Sequence, residues 1–122
     1  MAFYILKPYY VFKAQSMGVT LTSEAVSIAH QDNVGIQLHW TGTPTGDFSV
    51  QISSTHEEDA SGTVFVPGDW VTLPVSPAIV ASGAADDAYI DLNQMSAQWV
   101  RVVYTRTSGT GALTAAVVAK GI

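Results

Sequence analysis

Histidine is the side chain best suited to hold a metal or move a proton near neutral pH, and the chain has three: His30, His39 and His56. None stands at the paired spacing of a metal site, and no cysteine is present to complete one. His39 lies on the polar parity of its segment, between Leu38 and Trp40, from where it can reach a cross-strand partner. All three are read as structural or surface residues. The run Glu57-Glu58-Asp59 offers carboxylate oxygens, but successive residues of an extended chain point apart and the spaced pattern of a calcium loop is missing. It reads as a solvated charge run, and so does the group Asp86, Asp87 and Asp91. The serines lie in turns without a nucleophile elbow, and nothing brings two carboxylates together as a glycosidase needs. Trp40, Trp70 and Trp99 could stack on sugars. Trp40, however, shares parity with Val34, Ile36 and Leu38 and belongs to a core. Trp99 follows the parity of Arg101 and is the freer one, and Trp70 is open. No enzyme activity, cofactor or metal is expected.

The elements that position these residues are strands. In Trp99–Lys120, Val100, Val102 and Tyr104 point one way while Arg101, Val103 and Thr105 point the other. Ser108-Gly109-Thr110-Gly111 then supplies turn glycines, and Leu113, Ala115, Val117 and Ala119 alternate on the way back. This reads as an antiparallel hairpin. A second one runs from Val34, Ile36, Leu38 and Trp40 through the turn Thr41–Asp47 to Phe48, Val50 and Ile52. The two share an aromatic-Thr-x-Thr entry into the turn, which fits two sheets each carrying one hairpin. Short strands are expected near Val19–Leu21, Val26–Ile28, Val64–Pro67, Trp70–Leu73 and Ala88–Leu92, with a loop over Ser53–Gly62. Pro74 and Pro77 bracket an irregular piece, and Ala78–Ala85 is rich in small residues. No segment holds a helical period. About eight short strands with such punctuation imply an all-β fold, an antiparallel β-sandwich or jelly roll.

Residues 1–15 stand apart because Phe3, Tyr4, Tyr9, Tyr10 and Phe12 crowd aromatic groups onto both parities. Two readings stay open: an edge strand with Pro8 at a bulge, or an N-terminal arm laid on another subunit. The single sandwich domain then spans 16–122. On the arm reading, removing Met1–Lys13 leaves the sandwich folded and weakens attachment.

At 122 residues, 48% hydrophobic and 12% charged, the chain is long enough for one cored domain and too apolar for disorder. A net charge of -5 with five Lys and Arg argues against nucleic acid and against an anionic membrane surface. Pro8 cuts the first apolar run short, and the charge follows that run instead of preceding it, so no signal peptide is read there. The stretch Trp70–Asp86 is broken by Pro74, Pro77 and Gly83 and is no membrane helix. A soluble protein made in a cytoplasm is expected. Apolar groups on both faces of Phe3–Phe12 and of the last hairpin point to a homo-oligomer, a dimer or trimer. Arg101 is expected to pair with a carboxylate, Asp91 being the candidate.

The stretches TGTPTGDFSVQIS (Thr41–Ser53), SPAIVASGAADDAYIDLNQ (Ser76–Gln94) and WVRVVYTRTSGTGAL (Trp99–Leu113) resemble small structural proteins of tailed bacteriophages. In those, a TGTPTG turn leads into F-x-V-x-x-S, and an IDLNQ-like piece precedes a YVRVxYTRTSGTG hairpin ending in AKG. Here Trp99 replaces the Tyr, and Ala119-Lys120-Gly121 supplies the AKG. The likeness covers Val34 onward and leaves the aromatic N-terminal residues outside. It implies a virion protein with one of two roles. The first is a capsid decoration or cement protein that binds the major capsid protein or another virion protein. The alternative is a receptor- or carbohydrate-binding module of a head fibre or tail. The contact residues expected on either reading are Phe3, Tyr4, Tyr9, Tyr10, Phe12, Trp70 and Trp99.

Overall fold

The computed structural model describes residues 8–28, 33–73, 78–92 and 96–120. Its twelve strands are β1 Tyr9–Ser16, β2 Leu21–Thr22, β3 Val26–Ser27, β4 Asn33–Gly42, β5 Thr45–Ser53 and β6 Glu57–Glu58, then β7 Val64–Val66, β8 Val71–Leu73, β9 Ile79–Ser82, β10 Asp86–Leu92, β11 Trp99–Ser108 and β12 Gly111–Lys120. The first sheet has the order β1-β12-β4-β10 and the second β2-β11-β5-β8, with β3 also on β11 and β9 also on β5. Strands β6 and β7 form a separate ribbon. With β2/β3 and β8/β9 each counted as one interrupted strand, each sheet has four positions, all antiparallel. Most connections pass from one sheet to the other, which is the jelly-roll form of the sandwich.

The two alternating pairs expected as hairpins are instead arches. Strand β4 pairs with β12 and β10, while β5 pairs with β11, β8 and β9. Each arch therefore puts its two arms into opposite sheets, facing one another across the core. Alternation does not distinguish the two forms, because a hairpin and an arch bury the same parity of each arm. The arches stack at one corner, where the Thr43 amide donates to the Thr110 carbonyl at 2.8 Å. Gly109 has φ 76°, and a side chain there would collide with the Thr43 carbonyl. The likeness of the two turn entries is thus that of two neighbours in a single corner.

The interior holds the residues whose parity marked them. Val34, Ile36 and Leu38 of β4 meet Val50, Val100 and Val102 from the other sheet, all fully buried. Trp40 packs on Phe48 across the gap with ring centroids 4.9 Å apart, and Phe48 packs on Tyr104 of the neighbouring strand at 5.0 Å. Trp40 is thus in the core, and its indole N–H donates to the Ala84 carbonyl at 3.0 Å. Strand β9 lies within the small-residue stretch, and Asp86 and Asp87 open β10 instead of sitting in a turn.

From Tyr9 onward the aromatic segment is an edge strand, β1, hydrogen-bonded to β12. Bulges fall between Tyr10 and Phe12 and between Phe12 and Gln15, with Ala14 forced to φ 47°. The first bulge resets the parity: Tyr10 is exposed on the outer face, whereas Phe12 turns inward and is buried in the core. Phe12, expected as a contact residue, is corrected on that ground. Phe3, Tyr4 and His30 lie outside the described residues.

Candidate functional site

Strands β11 and β5 carry their polar parity on the outer face of the second sheet, where Arg101 stands opposite Gln51. The Arg101 Nε donates to Gln51 Oε1 at 2.7 Å, and its guanidinium lies 4.1 Å from the centroid of the Trp70 ring. A cation stacked on an indole in partial shelter is a favourable contact. The expected partner Asp91 is in the other sheet, opposite Gly35, so the Arg101–Asp91 pair does not form. Among the described residues Arg101 makes no ion pair.

His56 sits beside this stack, delivered by the turn after β5. The Ser53 hydroxyl oxygen accepts from the amides of Thr55 and His56, both at 3.2 Å, and so shapes that turn. The imidazole is 5.3 Å from the Trp70 ring and edge-on to Trp99 at 5.0 Å. Its Nδ1 lies 3.0 Å from the Pro67 carbonyl and its Nε2 lies 2.7 Å from Glu58 Oε2. A carbonyl only accepts, so Nδ1 holds a proton, and the carboxylate favours a second one on Nε2. Burial lowers the His56 pKa and Arg101 opposes its charge, but the Glu58 and Pro67 hydrogen bonds outweigh both, and the pKa is raised. The acidic run is therefore not uniformly solvated. Glu58 serves His56, and Asp59 accepts from the amides of Ser61 and Thr63 to fix the turn of the β6–β7 ribbon.

The ribbon, the Trp70–Arg101 stack and the edge of the sandwich enclose a cleft of ≈ 550 Å³. Tyr9 of β1 closes one side, its hydroxyl donating to Glu24 Oε1 at 2.6 Å across the gap between the two sheets. That bond, with burial and the charge of Glu24, raises the Tyr9 pKa and keeps the donor protonated. Three of the sequence candidates thus converge here: Tyr9 and Trp70 line the cleft and Trp99 supports it through His56. Tyr10 faces elsewhere. His56, Glu58, Glu24 and Arg101 were not among the candidates. The signal that could have found them is spacing, since His56 and Glu58 lie at i, i+2 in extended chain, as do Trp99 and Arg101.

Tryptophan, arginine and tyrosine around a concave patch are the side chains that dominate binding hot spots. His56 is boxed between two indoles with both ring nitrogens engaged, which leaves it unsuited to act as a base. Among the described residues no group of three His, Cys, Asp or Glu converges on a metal position.

No family model matches the sequence, and no curated protein matches it. The fold overlays on the crystal structure of the SPBc2 prophage-derived protein YomS with a TM-score of 0.52 at 9% identity, over 98% of this chain and 99% of that one. A looser overlay, TM-score 0.44 at 14% identity, covers 94% of this chain and 33% of the VP2 chain in a subviral particle of infectious bursal disease virus. Another, TM-score 0.40 at 20% identity, covers 80% of this chain and 74% of a chitosan-binding module from a chitosanase/glucanase of Paenibacillus sp. IK-5. At such identities the likeness is one of fold alone.

Proposed function

We propose that the protein is a non-enzymatic structural protein of a bacteriophage particle, a capsid decoration or cement protein that binds the major capsid protein through the cleft at Trp70 and Arg101. The observation that carries this reading is the hot-spot composition of that cleft, with Tyr9 and the exposed Val64 at its mouth. The phage-like stretches from Thr41 to Leu113 support the virion context, and the fold shared with a prophage-derived protein is compatible with it. A dimer or trimer on the particle belongs to the same proposal. Co-sedimentation with particles lacking the protein tests it: the wild type binds at a copy number close to that of the major capsid protein, and Trp70→Ala and Arg101→Ala each weaken binding about tenfold or more. Undiminished binding by both variants would overturn the docking cleft. A copy number far below that of the capsid protein would favour the second reading, a receptor- or carbohydrate-binding module of a head fibre or tail. Tyr10 and Tyr89, exposed on the other sheet, speak for that reading.

A further inference from the structure

The outer face of the first sheet carries one row of side chains running straight across all four strands. Tyr10 of β1 pairs with Ala116 of β12, Ala116 with Gln37 of β4, and Gln37 with Tyr89 of β10. Strands about 4.8 Å apart set the Cα atoms of the two tyrosines about 14 Å from each other, with only an alanine and a glutamine between. The result is a groove of ≈ 240 Å³ between Tyr10 and Tyr89, floored by Gln37, His39, Thr114 and Ala116. Both tyrosines are exposed, at 45% and 59%. Tyr89 is nonetheless held in place. It reclines across β4 with its hydroxyl end over Gly35, in the space a Cβ would occupy.

From this geometry we infer that the groove binds a neutral saccharide. A pyranose has apolar C–H faces and a rim of hydroxyls, and it needs aromatic faces beside fixed hydrogen-bonding groups. Here the tyrosines supply the faces. Thr114 Oγ1 accepts the Ala14 amide at 3.1 Å, which leaves its own hydroxyl hydrogen to donate. The Gln37 amide, exposed in the groove, has both donors and an acceptor. Charge sets the class of sugar. Among the described residues no lysine or arginine lines the groove, His39 is tied to Asp87, and Asp86, Asp87 and Asp91 run along the bounding strand. An acidic glycan would meet repulsion there, because Lys13, whose Nζ lies 5.6 Å from the Tyr10 ring centroid, is a single cation against those three aspartates. The site deepens the second reading of the function by naming a ligand class, and it stands apart from the docking cleft on the other sheet.

Native gel electrophoresis of the full chain in gels holding dextran, a β-1,3-glucan or galactomannan, with alginate as the acidic comparison, tests the inference. At least one neutral polymer retards the protein, and alginate does not. Tyr10→Ala and Tyr89→Ala each weaken retardation about tenfold. Gly35→Ala does so as well, by displacing Tyr89 while removing no contact group, and all three keep a cooperative thermal transition. Trp70→Ala retains full retardation, so failure of the groove and failure of the docking cleft read out separately. No retardation by any neutral polymer, retardation by alginate alone, or retardation that survives in the double tyrosine variant overturns the inference. So does an oligomer, seen by light scattering, that falls apart in that variant, because the face would then be covered by a second copy.

Discussion

His56 is the residue whose surroundings depart furthest from what its sequence neighbours announce. It follows three small polar residues and precedes three acids, yet it is 6% exposed, under a ribbon and between two indoles. Because its folded pKa is raised above that of the unfolded chain, folding takes up protons. The stabilisation it brings is complete below the unfolded pKa, about 6.5, and is lost as pH rises through the folded value. Urea unfolding midpoints should therefore fall between pH 6 and pH 8, and Glu58→Gln should flatten that dependence; an unchanged slope in that variant would refute the assignment. Tyr104 makes a second residue-scale case. Its ring is fully buried in the aromatic stack, and its hydroxyl has no hydrogen-bond partner among the described residues. Tyr104→Phe should raise stability by about 1 kcal/mol by removing an unsatisfied buried oxygen, readable in chemical denaturation. Neither feature was legible beforehand, since parity identified Tyr104 as core but said nothing about its hydroxyl.

At the scale of elements, parity was legible and pairing was not. Val34, Ile36, Leu38, Trp40, Val100, Val102 and Tyr104 are all on the buried face their alternation assigned. What alternation leaves undetermined is whether the next strand hydrogen-bonds to the last or faces it across a core. Low charge in both arches removed the other cue, because a solvent-facing hairpin shows one polar side. Disulfides discriminate the two forms, and the chain has no cysteine of its own to interfere. Thr41 and Ala112 are directly paired between β4 and β12, so Thr41→Cys with Ala112→Cys should oxidise readily. The hairpin alternative pairs Thr105 with Thr114, which here belong to sheets stacked about 10 Å apart. A double cysteine variant at those positions should stay reduced, as mass spectrometry would show, and its oxidation would restore the hairpin.

For the whole molecule, the first strand decides how much of the chain is fold and how much is available for attachment. The aromatic composition of residues 1–15 supported an arm as well as an edge strand, because bulges are invisible to a period-two count. With the bulges in place, Tyr9 faces the cleft, Tyr10 faces the saccharide groove and Phe12 fills the core. Removing residues 1–13 therefore takes more than a contact surface. It exposes the edge of β12 and empties the Phe12 site, and loss of a buried Phe alone costs about 3–5 kcal/mol. Removing residues 1–7 stops short of Pro8 and leaves every described pairing of β1 intact. The shorter truncation should melt with the full chain, whereas the longer one should lose at least the Phe12 term or fail to fold. Phe12→Ala in the full chain separates core loss from edge loss. If the longer truncation melts as the full chain does, Phe12 is not part of the core and the arm reading returns. If the shorter one also keeps co-sedimenting with particles, attachment rests on the cleft and not on the first seven residues.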